Sequence, residues 1–229
     1  MNNKILVYCI YISILTIQLS YGQDWPNLNR YKLDNLKQTN LSVKEDRIVF
    51  MGNSITEGWI RIHPSFFENK PYINRGISGQ TTSQMLLRFR QDVINLNPSV
   101  VVILAGINDI AENTGPISLE DISANIFTMA ELAKFHNIKV VLCTVLPASY
   151  FSWRTNISPG PKVIKLNNIL QSYANKNNIP FVDYYSSMVN NSLGLKQEFG
   201  DDGVHPNKKG YIIMENLLEK TINNIINEK

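Results

Sequence analysis

From Arg47 onward the chain alternates brief β-rich apolar runs with longer stretches of helical period. The apolar runs are Arg47–Met51, Val100–Leu104, Lys139–Leu146 and Ile179–Val182, with a weaker one at Tyr72 and Ile73. Between them Ile122, Ile126, Met129 and Ala133 recur at three- and four-residue spacing, as do Val163, Leu166, Ile169, Leu170 and Tyr173. The tail Tyr211 to Ile226 does the same after Asn207, a residue able to cap a helix. Short strands without a polar face must be covered on both sides, and strands that alternate with helices pair in parallel. The expected fold is therefore a single three-layer α/β domain over residues 47–229. Its central parallel sheet has about five strands with helices on both faces, and residues 23–46 form an N-terminal lead-in.

Composition narrows the function classes. With 229 residues, 44% hydrophobic and 18% charged, the chain can bury a sizeable core and is too poor in charge for disorder. The formal charge of +3 is spread along the chain, without the basic stripe of a nucleic-acid binder. No nucleic-acid partner is expected.

Residues 1–22 read as an export signal. Lys4 precedes an apolar run from Ile5 to Leu19, and the small residues Ser20 and Gly22 stand before a cut ahead of Gln23. The competing reading is an uncleaved membrane anchor, for which the run is short. Cys9 follows Tyr8 rather than the small residues of a lipoprotein site, so lipidation is not expected. Cleavage leaves Cys143 as the one cysteine of a periplasmic or secreted protein, within an apolar run where a thiol is buried and inert.

In an open parallel sheet, ligands bind beyond the carboxyl ends of the strands. After the first strand comes Gly52-Asn53-Ser54-Ile55-Thr56-Glu57-Gly58, with a serine hydroxyl at a helix N-terminus. After the second comes Asn74-Arg75-Gly76-Ile77-Ser78-Gly79-Gln80-Thr81-Thr82, a turn able to lend a backbone amide. After the third comes Ala105-Gly106-Ile107-Asn108-Asp109, with a neutral, directional amide side chain. Each of these alone is equally an ordinary turn or cap. Near the C-terminus, Asp201-Asp202-Gly203-Val204-His205-Pro206 places an acid three residues before a histidine, close enough to set the imidazole tautomer. Neither His63 nor His136 has such an acid, and no cluster has metal-ligand spacing, so no metal or other cofactor is expected.

Taken together and in this order, these segments resemble the four blocks of the SGNH, or GDSL-type, esterase family, with a look of its acetylhydrolase branch. The resemblance covers about residues 47–225 and implies a flavodoxin-like SGNH hydrolase fold. Carried over, it makes Ser54 the nucleophile, with Asp202 and His205 completing a Ser-His-Asp triad. The Ser54 and Gly79 amides and the Asn108 side chain become the oxyanion hole. Asn53 departs from the family, whose name implies Asp there; it is not a triad member.

The substrate is less determined. Tyr150, Phe151, Trp153 and Arg154, after the fourth strand, are candidates for substrate binding as stacking or acyl-slot residues, or else a hydrophobic cover over the core edge. With no long insertion to serve as a lid, the site suits short acyl groups. The expected activity is hydrolysis of short-chain, foremost O-acetyl, esters of small molecules or glycans. A lysophospholipase- or thioesterase-like acylhydrolase is the alternative, and a non-catalytic glycan-binding module a further one.

Overall fold

The computed structural model describes residues 23–40 and 46–227. Five strands, β1 (Ile48–Gly52), β2 (Tyr72–Gly76), β3 (Val100–Leu104), β4 (Lys139–Cys143) and β5 (Phe181–Val182), pair in parallel in the order 2-1-3-4-5. The helices are α1 (Lys32–Asn40), α2 (Ser54–Ile62), α3 (Thr82–Asp92), α4 (Ile107–Ile110), α5 (Leu119–Phe135), α6 (Gly160–Lys176), α7 (Tyr184–Met188) and α8 (Lys208–Asn227). This is the expected three-layer domain with its five-stranded parallel sheet.

The order 2-1-3-4-5 reverses direction at β1, and the position of the site follows from that. The β1–β2 connection runs to one side of β1, whereas the next three run to the other. Right-handed crossovers then place α2 on one face and α3, α5 and α6 on the opposite face. Packing agrees: α3 lies against α5 and α5 against α6. Helix α8 returns beside α2, where Tyr211 Oη donates to the Ile55 carbonyl at 2.8 Å and Trp59 Nε1 donates to Glu215 at 2.8 Å. Asn207 caps α8 as expected, its Oδ1 accepting the Gly210 N–H at 3.1 Å.

The ends of the first three strands are level. Gly52 at the end of β1 is in register with Gly76 of β2 and with Leu104 of β3. Helix α2 can start immediately above them because Gly76 has no side chain: a Cβ there would stand 2.1 Å from the Glu57 nitrogen. Residues 52–58, 76–82 and 105–109 thus converge at the switch point between β1 and β3, the usual ligand crevice of such sheets.

Two boundaries differ from the sequence reading. The apolar run Lys139–Leu146 forms a strand only to Cys143, although Val145 and Leu146 are buried. Past Thr144, whose N–H still donates to the Val182 carbonyl at 3.0 Å, the Asn167 side chain replaces the ladder, accepting the Val145 N–H at 2.7 Å and donating to its carbonyl at 3.0 Å. The run Ile179–Val182 supplies only Phe181 and Val182 to the sheet. Cys143 is buried as expected, and burial pushes its thiol up to about 12.

The lead-in is fastened to the domain. Asn35 of α1 donates to Asp92 at 2.7 Å and accepts from Arg75 Nε at 2.9 Å, and Tyr31 Oη donates to the Gly76 carbonyl. The proposed signal, residues 1–22 with Cys9, lies outside the described residues. Among the described residues no helix is long and apolar enough to cross a membrane.

Candidate active site

Ser54 is the first residue of α2, raised above the sheet by the turn that leaves β1. Its Oγ lies 2.9 Å from Nε2 of His205, 151 residues further along the chain. His205 Nδ1 lies 2.6 Å from Oδ2 of Asp202. The acid is held by its own turn, since Oδ1 accepts the N–H groups of Val204 at 2.9 Å and His205 at 2.7 Å. Burial by itself raises the Asp202 carboxyl, but hydrogen bonds from the His205 backbone and ring and from Val204 outweigh it and hold the group below the ordinary carboxylate range. An ionised Asp202 accepts from Nδ1–H, which leaves Nε2 with a lone pair facing the serine hydroxyl. Such a chain can move a proton off Ser54 onto the imidazole.

The remaining family positions lie just after β2 and β3. Gly79 has a φ of +78°, and a Cβ on it would touch nothing within 4 Å, so the turn presents open backbone toward solvent. Asn108 is buried, and its Nδ2 donates to the Gln80 carbonyl at 2.9 Å. One of its two amide hydrogens remains for another acceptor. The neighbouring Asp109 accepts the Thr82 N–H at 2.9 Å and hydroxyl at 2.6 Å, tying α4 to the start of α3.

A buried arginine that sequence reading did not single out joins these segments. Arg88 of α3, with no exposed surface, donates Nε to Gln80 at 2.5 Å, Nη1 to Asp92 at 3.0 Å and Nη2 to the Gly52 carbonyl at 2.9 Å. It therefore bonds both to the strand end before Ser54 and to the residue whose carbonyl holds Asn108. On a helix of polar composition it reads as a solvated charge, and only the packing of α3 on the sheet shows otherwise. Asn53 is buried with neither amide atom partnered among the described residues. An ionised Asp in that orientation would be an unpaired buried charge, which a neutral amide avoids.

The aromatic segment after β4 divides. Phe151 is wholly buried, a core ring packed against Trp153 with centroids 5.1 Å apart, and so it does not face a substrate. Tyr150 and Trp153 are exposed. The Tyr150 ring lies against Gly203, inside the Asp202–His205 turn, where a Cβ would approach it to 2.9 Å. Trp153 Nε1 donates to Asn113 Oδ1 at 3.2 Å, and Asn113 Nδ2 donates to the Gly79 carbonyl at 3.2 Å. Arg154 is engaged with the Glu112 carbonyl at 3.1 Å.

On the other side of Ser54 opens a cavity of about 910 Å³. Besides Ser54 and His205, its walls include Arg30, Tyr31, Asp34, Glu57, Arg61 and Arg75. Arg30, Tyr31 and Asp34 come from the lead-in, which the strand–helix pattern had set apart from the functional domain. His63 is turned away toward Glu215, with Nδ1 2.7 Å from Oε1, and His136 closes α5. Among the described residues no group of three or more His, Cys, Asp or Glu could hold a metal ion.

Residues 50–213 match the model of the GDSL-like lipase/acylhydrolase family. The crystal structure of a GDSL-like lipase from Bacteroides thetaiotaomicron is 51% identical, covers 87% of this chain and 98% of its own, and has a TM-score of 0.84. An acetyl xylan esterase shares the fold at 21% identity, covering 77% of this chain and 99% of its own with a TM-score of 0.64. Esterase TesA of Pseudomonas aeruginosa is 26% identical over 74% of this chain and 80% of its own length. An uncharacterised lipoprotein of Bacillus subtilis, YqeF, aligns at 35% identity over 34% of either chain, so this chain spans about a third of that relative. The chain belongs to the GDSL-like lipase/acylhydrolase family, hydrolases that act on ester bonds.

Proposed function

We propose that this chain is an exported serine esterase that removes short acyl groups, O-acetyl foremost, from small-molecule or glycan alcohols. The observation that carries the reading is the relay Ser54–His205–Asp202, with contacts of 2.9 and 2.6 Å at the mouth of a large cavity. His205 Nε2 takes the Ser54 proton as Oγ attacks the ester carbonyl carbon. The carbonyl electron pair moves to oxygen, where the N–H groups of Ser54 and Gly79 and the second Asn108 amide hydrogen receive it. Collapse breaks the bond to the alcohol oxygen, which leaves with the proton from His205. Water, deprotonated by the same imidazole, then releases the acid from Ser54. The family membership supports the reaction class, and the acetyl xylan esterase on this fold supports acetyl removal as chemistry the scaffold can host.

One experiment addresses reaction and export together. Native protein treated with a fluorophosphonate probe is expected to gain one phosphonyl group on Ser54, in a chain whose intact mass begins at Gln23. A chain that stays unlabelled would point to the binding-module alternative, and one that retains residues 1–22 in the membrane fraction to the anchor. The oxyanion assignment has its own consequence. Asn108→Ala should lower kcat by about 10²–10³-fold, the usual cost of one such donor, with KM almost unchanged because the bond strengthens in the transition state. An equal loss carried by KM would place Asn108 in ground-state binding instead.

A further inference from the structure

The cavity beside Ser54 carries three arginines, and two of them are neutralised locally. Arg30 Nη2 is 3.0 Å from Glu57 Oε1, and Arg75 Nη2 is 2.6 Å from Asp34 Oδ2. Asp202, the third carboxylate of the wall, is engaged by His205. Arg61 has neither an ion pair nor a side-chain hydrogen bond among the described residues, so its guanidinium keeps its donors unused, although with the ionised Asp202 the three carboxylates and three arginines of the wall balance in formal charge.

Its position is set by α2. Arg61 follows Ser54 by seven residues, two turns along the same helix face, about 10 Å along the axis. Gly58 stands between them at the middle turn, and it also lines the cavity. A Cβ built on Gly58 would be only 3.9 Å from Arg61 Nη2. The guanidinium therefore folds back over the glycine toward the helix N-terminus, the direction side chains on a helix naturally take. It ends roughly one helical turn from Ser54, on the order of 6 Å along the axis. That span is comparable with a single pyranose ring.

We propose that Arg61 determines specificity by binding a carboxylate of the substrate, so that the ester removed at Ser54 is carried by an acidic glycan. The acyl-bearing oxygen and the carboxylate then belong to the same or adjacent sugar residues. This rests on the reading that Ser54 hydrolyses an ester. A guanidinium offers a carboxylate two parallel N–H donors and no competing acceptor. The ion pairs around it leave those donors free for a ligand. A structural role is the competing account: a cation in the last turn of α2 interacts favourably with the helix dipole, and predicts a change in stability alone.

The test compares kcat/KM on O-acetylated oligogalacturonides and on O-acetylated neutral xylo-oligosaccharides at low ionic strength, with lysophosphatidate as a third arm. The acidic-to-neutral ratio is expected to fall about tenfold in Arg61→Gln, mostly through KM, and further in Arg61→Glu. Arg61→Lys should retain part of it, and 0.5 M salt should erode the wild-type ratio. A ratio within twofold of wild type in Arg61→Gln and Arg61→Glu would overturn the proposal, whether or not Tm shifts. So would a wild-type preference for lysophosphatidate over both oligosaccharides. Ser54→Ala serves as the separate arm: undiminished hydrolysis of both glycans by that variant would remove the esterase reading, independently of the ratio.

Discussion

Ser54→Ala is expected to lower kcat on acetyl esters by about five to six orders of magnitude while leaving Tm unchanged. The variant loses the atom that bonds to the acyl carbon, and with it the acyl-enzyme. It loses little structure, because among the described residues the one side-chain hydrogen bond of Ser54 is to His205, and Tyr211 holds α2 separately through the Ile55 carbonyl. His205→Ala should cost nearly as much, and the double variant no more than either single one, because the two groups act in one proton transfer and their losses do not add. Turnover numbers with a chromogenic acetate, alongside thermal melts of the same preparations, decide the matter. If these residues were only turn and cap residues, each change would cost about 1 kcal/mol of stability and leave turnover near normal. Turnover within tenfold of wild type in Ser54→Ala would sink the assignment.

Asp202→Asn should reduce kcat by about 10⁴-fold, with the turn around it intact. The amide oxygen can still accept the Val204 and His205 N–H groups that Oδ1 accepts now. Its NH₂ would face His205 Nδ1 where Oδ2 now stands at 2.6 Å, so the imidazole would carry its proton on Nε2 and have no lone pair for Ser54. The same carboxyl links stability to pH. Its pKa is lowered by folding, so its stabilisation is present above its unfolded value, about 3.9, and is lost as the pH falls through the lower folded one. Asp202→Asn should remove this acid-side dependence along with the turnover. Denaturant titrations from pH 3 to 7, run beside the kinetics, check both halves. A variant that keeps wild-type kcat would show that Asp202 serves the turn and not the imidazole.

Much of this arrangement is carried by short stretches of sequence. The hydrophobic period places β1 to β4 and the long helices to within a few residues, because strand and helix patterns are set by backbone geometry over one or two turns. The Asp202–His205 pair is an i,i+3 contact within one turn. The Thr81 cap of α3 and the Asn207 cap of α8 are equally local.

Where the period and the packing differ, longer-range contacts decide. Val145 and Leu146 look like strand because they are apolar and buried, yet Asn167 on α6 takes the backbone bonds of Val145. Phe151 looks like a substrate-facing ring because of its neighbours, and burial in the core turns it inward. Arg88 looks like a surface charge until α3 lies on the sheet.

By itself the sequence determined the α/β class and which chemically able residues follow each strand. Only the tertiary structure decided that Ser54 meets His205 across 151 residues, since the strand order 2-1-3-4-5 and right-handed crossovers bring the strand ends together. The tertiary structure also folded the lead-in against the site and, among the described residues, paired every cavity arginine but Arg61. Periodicity and caps are properties of a few neighbouring residues, whereas charge pairing and cavity shape depend on which distant elements come to share a surface.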